Sequence, residues 1–169
     1  RAWWDPTGEA SVPSSSYAKN AYQNRKFTAR STADAVGDVA FMRLAEMYLT
    51  QAEALARAGK DSEAQAVFTK FQITRDPSYV SKGNIGDALA EEIMNSRRVE
   101  LWGEGFALFD ILRLKKPIIR KNTNYEAIVQ FNLEPESQIM IYRIPQCEME
   151  TNKGIKEEEN NPAAPQPTV

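Results

Sequence analysis

Residues 41–71 read FMRLAEMYLTQAEALARAGKDSEAQAVFTKF, and the spacing of their apolar residues decides the fold. In the first half, apolar residues recur at intervals of three and four, as they do on one face of an α-helix. The members of this stripe are Phe41, Leu44, Ala45, Tyr48, Ala52, Leu55 and Ala56. Glu53 and Arg57 fall on the opposite face of the same helix. We therefore predict an amphipathic helix that Asp38 caps at its start and Gly59 ends.

A second helix follows after a short connection at residues 59–61, so the two helices should pack antiparallel. Asp61 can cap its start, and its apolar face holds Ala64, Val67, Phe68 and Phe71. The pair resembles a tetratricopeptide unit, with Ala52 at the small position of the first helix and Ala64 and Phe68 at the A-x3-F positions of the second. One such pair is visible in the sequence.

Downstream, the apolar period predicts a third helix over about 87–102 and a fourth over about 106–114, with Gly103 and Gly105 between them. The segment QIMIYRI at 138–144 is the best strand candidate. The predicted fold is mainly α, with tetratricopeptide-like helix pairs, irregular loops and at most a short strand or hairpin.

Three regions differ in composition. Residues 1–37 are rich in Ser, Pro, Gly and Asn with scattered aromatic residues, residues 38–155 carry the helical pattern, and residues 156–169 have the composition of a flexible tail. We expect one domain. Because the chain opens abruptly on RAWWDPTGEA, we also expect it to be part of a longer protein.

The bulk composition excludes several classes of function. The net charge of −2 argues against a nucleic-acid surface, and no apolar run approaches the roughly 18 residues of a membrane span. The chain has no histidine, which excludes Ser-His-Asp and Cys-His catalysis and histidine-ligated metals. Its one cysteine, Cys147, cannot form an internal disulfide. We expect no metal and no cofactor.

Charged residues stand on helix faces that should be buried. Arg97 lies within the apolar stripe of the third helix, and Asp110 and Arg113 share a face of the fourth with two phenylalanines. Because an unpaired buried charge is costly, we expect these groups to pair with one another. The predicted ion-pair network consists of Arg97, Arg98, Glu100, Glu104, Asp110 and Arg113. The alternative is a pair of catalytic carboxylates, Glu100 and Glu104, for glycoside hydrolysis.

The segment RRVELWGEGFALFDILRLKK at 97–116 resembles the signature of the SusD/RagB family, which has an arginine pair, a glutamate, a GEG turn and an aromatic-Asp pair in this order. FMRLAEMYLTQAEALARAG and YRIPQCEMETNKGI resemble two further family segments. Two departures are Ala107-Leu108, where a polar or basic residue is common, and Asn152-Lys153 in place of Asn-Pro. The chain would correspond to the C-terminal portion of a member.

The resemblance implies a non-enzymatic protein that captures glycans, or in some members peptides, at the bacterial cell surface. Such proteins are lipid-anchored at the extracellular face of the outer membrane, here through an N-terminal cysteine outside this chain. They deliver the ligand to a SusC-like TonB-dependent transporter. The expected partners are an oligosaccharide, that transporter and the missing N-terminal part of the same chain.

Aromatic residues of the loop-rich segment are the candidates for contact with a sugar. Rings stack on the apolar faces of sugars while polar side chains bind the hydroxyl groups, and residues 1–37 offer both kinds. The candidate substrate-binding residues are Trp3, Trp4, Tyr17 and Tyr22. From the residues alone, a tetratricopeptide-like scaffold for a protein partner remains an alternative function.

Overall fold

The computed structural model describes residues 4–5, 23–24, 26–27, 37, 40–123, 125–165 and 167 of the 169, with the backbone alone at 4–5 and 23–24. The chain divides into two compact units, Arg1–Arg43 and Leu44–Val169. In the first unit, β1 (Trp4–Asp5) pairs antiparallel with β2 (Gln23–Asn24). Trp4 lies opposite Asn24 in this ribbon, and Asp5 lies opposite Gln23.

The second unit is mainly helical, as the apolar period predicts. Its helices are α1 (Leu44–Arg57), α2 (Asp61–Ile73), α3 (Gly86–Glu100), α4 (Phe106–Arg113) and α5 (Gln146–Thr151). Short 3-10 turns cover Ala127–Val129, Gln138–Met140 and Glu157–Glu159. A small antiparallel hairpin joins β3 (Ile118–Ile119) to β4 (Asn132–Leu133), with Ile118 opposite Leu133. None of the described helices is both long and apolar enough to cross a membrane.

The hydrophobic core lies where α1, α2 and α3 pack together. Its members are Ala45, Leu49, Ala52, Ala56, Ala64, Phe68, Phe71, Leu89, Ala90 and Ile93. Ala52, Ala64 and Phe68, at the tetratricopeptide packing positions, are each at most 1% exposed. The two small alanines let the helices approach closely, and the ring of Phe68 fills the space beside them. Burying a side chain the size of Phe68 contributes roughly 1.5–3 kcal/mol to folding.

The first helix differs from its prediction at its start and on its buried face. It begins at Leu44, and Phe41 is fully exposed. The predicted cap at Asp38 lies outside the described residues. The placement of Glu53 on the outer face is wrong, because Glu53 is 4% exposed. Leu49 and Glu53 are four residues apart and therefore share a helix face, and that face is the one that packs.

The connections between helices confirm one of the predicted caps and contradict another. Gly59 adopts a positive φ of 74° at the end of α1, and the amides of Gly59 and Lys60 donate to the carbonyls of Ala56 and Leu55. This arrangement satisfies the last carbonyls of the helix. The prediction that Asp61 caps α2 is wrong, because Asp61 is the first residue of that helix and its Oδ1 accepts from the amide of Gly86, 2.8 Å away at the start of α3.

The predicted helices at 87–102 and 106–114 are confirmed within two residues at each end. The break between them depends on two glycines. Gly103 and Gly105 have φ values of 75° and 88°, in the left-handed region where a side chain would be strained. The chain can therefore turn sharply enough for α4 to start only five residues after Leu101.

The predicted strand at 138–144 is wrong. Residues 138–140 form a 3-10 turn, and side-chain amides bind the extended backbone that follows. The Asn160 side chain accepts from the amide of Ile144 at 2.9 Å and donates to its carbonyl at 3.2 Å, and Asn161 Nδ2 donates to the carbonyl of Tyr142 at 2.6 Å. Backbone groups that a neighbouring strand would have paired are thus satisfied by two asparagines.

Two further hydrogen bonds connect the same segment to residues 157 and 161. Arg143 donates to the carbonyl of Asn161 and to the carboxylate of Glu157, both at 2.7 Å. Glu157 and Asn161 therefore contact the segment before α5, and the flexible tail at 156–169 stays a prediction.

Candidate functional site

Three of the predicted charged residues, Arg97, Asp110 and Arg113, lie at the junction of α1, α3 and α4. Four charged residues of the described chain are buried: Glu53, Arg97, Glu100 and Asp110. Glu53, Arg97 and Glu100 are on helices that also carry buried apolar residues, whereas Asp110 is the only buried residue described in α4. Burial of a charge is tolerated only where a partner and hydrogen bonds replace the lost water.

Arg97 and Asp110 form the buried pair that joins α3 to α4. Arg97 Nε donates to Asp110 Oδ2 at 2.8 Å, and both side chains are less than a tenth exposed. Arg97 Nη1 also donates to Thr50 Oγ1 on α1 at 3.2 Å, and its guanidinium lies over the ring of Phe106 at 5.3 Å. One arginine therefore contacts the side chains of two other helices and meets an acceptor on each.

Arg113 extends this cluster to the first helix. Its Nε donates to Asp110 Oδ1 at 2.8 Å, and its Nη1 and Nη2 donate to the two carboxylate oxygens of Glu53 at 2.8 and 2.6 Å. Arg57 Nε adds a further bond to Glu53 at 2.8 Å. Glu53 is not among the members of this cluster that the sequence predicted. The feature that could have identified it is its position four residues after Leu49, on the same face of α1.

The hydrogen bonds between Glu53 and Arg113 favour the charged forms of both side chains. Burial alone would raise the pKa of Glu53, but the hydrogen bonds and charges of Arg113 and Arg57 outweigh it and leave that pKa lowered. The hydrogen bond to Glu53 is the main cause that raises the pKa of Arg113, and Asp110 adds to it. Glu53 and Arg113 therefore hold their charges through the ordinary pH range.

Glu100 has a partner that sequence reasoning did not identify. Arg75, two residues beyond α2, donates from Nε and Nη2 to the two oxygens of Glu100 at 3.0 and 2.7 Å. Its guanidinium also lies over the ring of Phe71 at 5.3 Å. This two-point contact ties the end of α2 to the end of α3.

Two members of the predicted network remain, Arg98 and Glu104. Arg98 is exposed and forms no ion pair within the described residues, and Glu104 is half-buried between the two glycines of the turn. The partners actually brought together are Glu53, Arg57, Arg75, Arg97, Glu100, Asp110 and Arg113.

The arrangement can fix helices, but it offers no free carboxylate to a substrate. Both oxygens of Glu53, Glu100 and Asp110 accept from arginine. A general acid for glycoside hydrolysis needs a raised pKa, and close guanidinium groups act in the opposite direction. In the described part of the chain, no three His, Cys, Asp or Glu residues are grouped so that they could hold a metal ion.

The candidate sugar-contacting aromatics lie in the first unit. Trp3, Tyr17 and Tyr22 lie outside the described residues, and the backbone of Trp4 is in β1. In the second unit, aromatic side chains more than two-fifths exposed are Trp102, Phe109, Tyr125 and Tyr142. They are spread over four different segments of the chain.

Comparison with known proteins gives a family match along most of the chain. The sequence model of the SusD family matches residues 3–163. This match includes the three quoted segments and extends into the loop-rich N-terminal part.

Two relatives agree with this match. The chain is 30% identical over 89 residues to the "SusD-like protein P38" of Formosa agariphila, covering 48% of this chain and 18% of that protein. A SusD-like carbohydrate binding protein of Bacteroides vulgatus ATCC 8482, known from its crystal structure, superposes with a TM-score of 0.65 at 27% identity. That superposition covers 84% of this chain and 34% of the other. The chain thus spans 18% of the length of the first relative and 34% of the second.

Proposed function

The chain belongs to the SusD family, and we propose that it takes part in the non-enzymatic capture of oligosaccharides at the surface of a bacterial cell. The observation that carries the proposal is the family match over residues 3–163. The structural similarity to a protein described as carbohydrate binding supports the same class of ligand.

The proposal includes delivery of the bound glycan to a SusC-like TonB-dependent transporter. In this reading the whole protein is lipid-anchored at the extracellular face of the outer membrane, and this chain supplies its C-terminal portion. The remaining part of the protein would pack on this chain. Exposed apolar side chains such as Tyr142 at 83% and Ile128 at 79% are suited to such contacts.

Capture without catalysis is consistent with the state of the buried carboxylates. Glu100, one of the two acids that a hydrolase mechanism would use, is 5% exposed and has both oxygens bound by Arg75. Such a group can neither donate a proton to a leaving group nor attack a sugar without first breaking this pair.

The proposal is tested by calorimetric titration of the whole protein with neutral and acidic oligosaccharides and with peptides, a readout that does not depend on the tryptophans being changed. The test variant carries Trp3→Ala and Trp4→Ala, and the matched control carries Trp3→Phe and Trp4→Phe, which keeps an aromatic ring at each position. We expect a saturable change with one glycan class that is lost in the alanine variant and retained in the phenylalanine variant.

Other outcomes separate the alternatives. A response that survives in the alanine variant would retain glycan capture and place the site elsewhere. Saturation by peptides alone would make the protein a peptide-binding member of the family. A protein that responds to neither ligand class would overturn the proposal in favour of a tetratricopeptide-like scaffold for a protein partner.

A further inference from the structure

The hairpin formed by β3 and β4 holds an arginine in a defined position. Arg120 directly follows β3, and its amide donates to the carbonyl of Phe131 at 3.2 Å and to Asn132 Oδ1 at 3.0 Å. The amide of Lys121 shares the same Asn132 oxygen at 3.2 Å. The backbone that carries the Arg120 side chain is therefore fixed by the opposite arm of the hairpin.

Two aromatic rings hold the Arg120 guanidinium. Its central carbon lies 4.9 Å from the ring centroid of Phe131 and 5.2 Å from that of Tyr125. The loop that carries Tyr125 is itself closed, because Gln130 Nε2 donates to the carbonyl of Tyr125 at 2.7 Å and to that of Thr123 at 3.3 Å. Attraction between the cation and the ring faces orients the guanidinium without using an oxygen acceptor.

Within the described residues, the Arg120 guanidinium has no carboxylate partner and donates no hydrogen bond to an oxygen. This distinguishes it from Arg75, Arg97 and Arg113, each of which is paired with an acid. Glu126 and Glu134 on the same hairpin are exposed, and neither pairs with Arg120.

The lysines near Arg120 also differ in whether an acid pairs with them. Lys115 is paired with Glu136 and Lys116 with Glu91, whereas exposed Lys121 forms no ion pair within the described residues. Arg120 and Lys121 therefore present two adjacent positive charges that no acid among the described residues neutralises. The rings have already restricted the side-chain freedom that Arg120 would lose on binding an anion, which lowers the cost of binding.

We propose that Arg120, with Tyr125 beside it, binds the anionic group of an acidic saccharide, either the carboxylate of a uronate or a sulfate ester. The planar guanidinium matches both groups with parallel N–H···O bonds. Tyr125 is 52% exposed, so its ring can also contact the apolar face of the same sugar unit. The inference rests on glycan capture as the proposed function and adds the chemical class of the glycan.

The test is calorimetric titration of the whole protein with three oligosaccharides of equal length: one carrying uronate, one sulfated and one neutral. The variants are Arg120→Gln, which removes the charge, and Arg120→Lys, which keeps the charge but loses the planar fork. Arg98→Gln is the matched control, because Arg98 is also exposed and forms no ion pair within the described residues. A thermal melt of each variant checks that the fold is retained.

We expect Arg120→Gln to weaken binding of one acidic saccharide by about tenfold or more and to leave the neutral one unchanged. Arg120→Lys should recover part of the loss, and Arg98→Gln should have no effect. The acidic saccharide that loses affinity identifies the group as carboxylate or sulfate.

Equal affinity for acidic saccharides in the wild type and in Arg120→Gln would overturn the inference while leaving glycan capture intact. If no saccharide binds at all, the proposed function fails instead. The subsite is then judged by the ¹⁵N signal of the Arg120 Nε–H during titration with glucuronate and with inorganic sulfate. A saturable shift with either anion supports the subsite, and an unchanged signal overturns it.

Discussion

Arg113 Nη2 lies 2.6 Å from Glu53 Oε2, and Nη1 of the same arginine lies 2.8 Å from Oε1, so a two-point ion pair joins α4 to α1 across 60 residues of sequence. Glu53 is 5% exposed in its side chain whereas Arg113 is 42% exposed. The carboxylate therefore depends on the arginine for the hydrogen bonds that water would otherwise supply.

Substitution of Glu53 by Gln should destabilise the protein by about 2–3 kcal/mol. This is below the roughly 3–5 kcal/mol of a fully buried pair because Arg113 and Arg57 can turn to solvent. Denaturant unfolding of the whole protein measures the change. Arg57→Ala is the control and should cost about 0.5 kcal/mol or less, because Arg57 is 41% exposed and its partner lies four residues away on the same helix. Equal effects of both variants would contradict this account.

Asp110→Asn should destabilise the protein more than Glu53→Gln does, by about 3–5 kcal/mol of unfolding free energy. The substitution leaves Arg97 buried without a countercharge. The matched variant Arg97→Met with Asp110→Leu removes both charges and should regain much of the lost free energy of unfolding. Unfolding midpoints of both variants in the same denaturant series decide the matter. A double variant no more stable than Asp110→Asn would show that the charged pair stabilises the fold by more than the cost of its own burial.

The lowered pKa of Glu53 predicts the direction of an acid effect. Burial opposes the charged form, but the bonds from Arg113 and Arg57 prevail, so the folded protein binds this proton more weakly than the unfolded chain, whose reference pKa is 4.5. The stabilisation is then fully present above that pH and is lost as the pH falls through 4.5 and the lower folded pKa. The difference in unfolding free energy between wild type and Glu53→Gln should be constant near neutral pH and shrink below about pH 4.5. A constant difference down to pH 3 would refute this.

Tyr79 predicts an effect of opposite direction at alkaline pH. Burial, followed by the charge and hydrogen bond of Glu92, raises the pKa of Tyr79 from 10.0 to about 12. The folded protein holds the phenolic proton more tightly, so this stabilisation is present below pH 10 and is lost as the pH rises toward 12. The advantage of wild type over Tyr79→Phe should fall across that interval, as followed by unfolding at each pH. Ultraviolet titration of the two proteins provides an independent check on the phenol.

The two asparagines that bind the chain before α5 carry a local prediction. Asn160→Ala removes both hydrogen bonds to the backbone of Ile144, so the amide of that residue should exchange with solvent faster. Hydrogen exchange followed by mass spectrometry on the peptide around 142–144 measures this. Asn152→Ala is the control, since Asn152 contacts Glu148 and Gly154 in a different turn. Equal acceleration in both variants would contradict a specific role for Asn160.

Local regularities of the sequence determined most of the helical fold. The apolar period at three and four residues predicted the four longer helices, and the pair of glycines at 103 and 105 predicted the break between two of them, because both signals depend only on neighbours along the chain. The motif at 97–116 likewise indicated the family and the presence of charges on packing faces. That Arg97 and Asp110 would need partners followed from the cost of burying a charge.

Which groups meet was decided only by the tertiary structure. Glu53 pairs with Arg113, 60 residues away in sequence, and Glu100 pairs with Arg75, 25 residues away. No periodic pattern of the sequence predicts contacts at these separations. The segment at 138–144 has the residues of a strand, but two later asparagines bind part of its backbone in place of a neighbouring strand. The rings that contact Arg120 belong to Tyr125 and Phe131, in the loop that joins β3 to β4. Composition and period report how a residue behaves with its neighbours, whereas ion pairs and ring contacts depend on which helices and loops the packed core brings together.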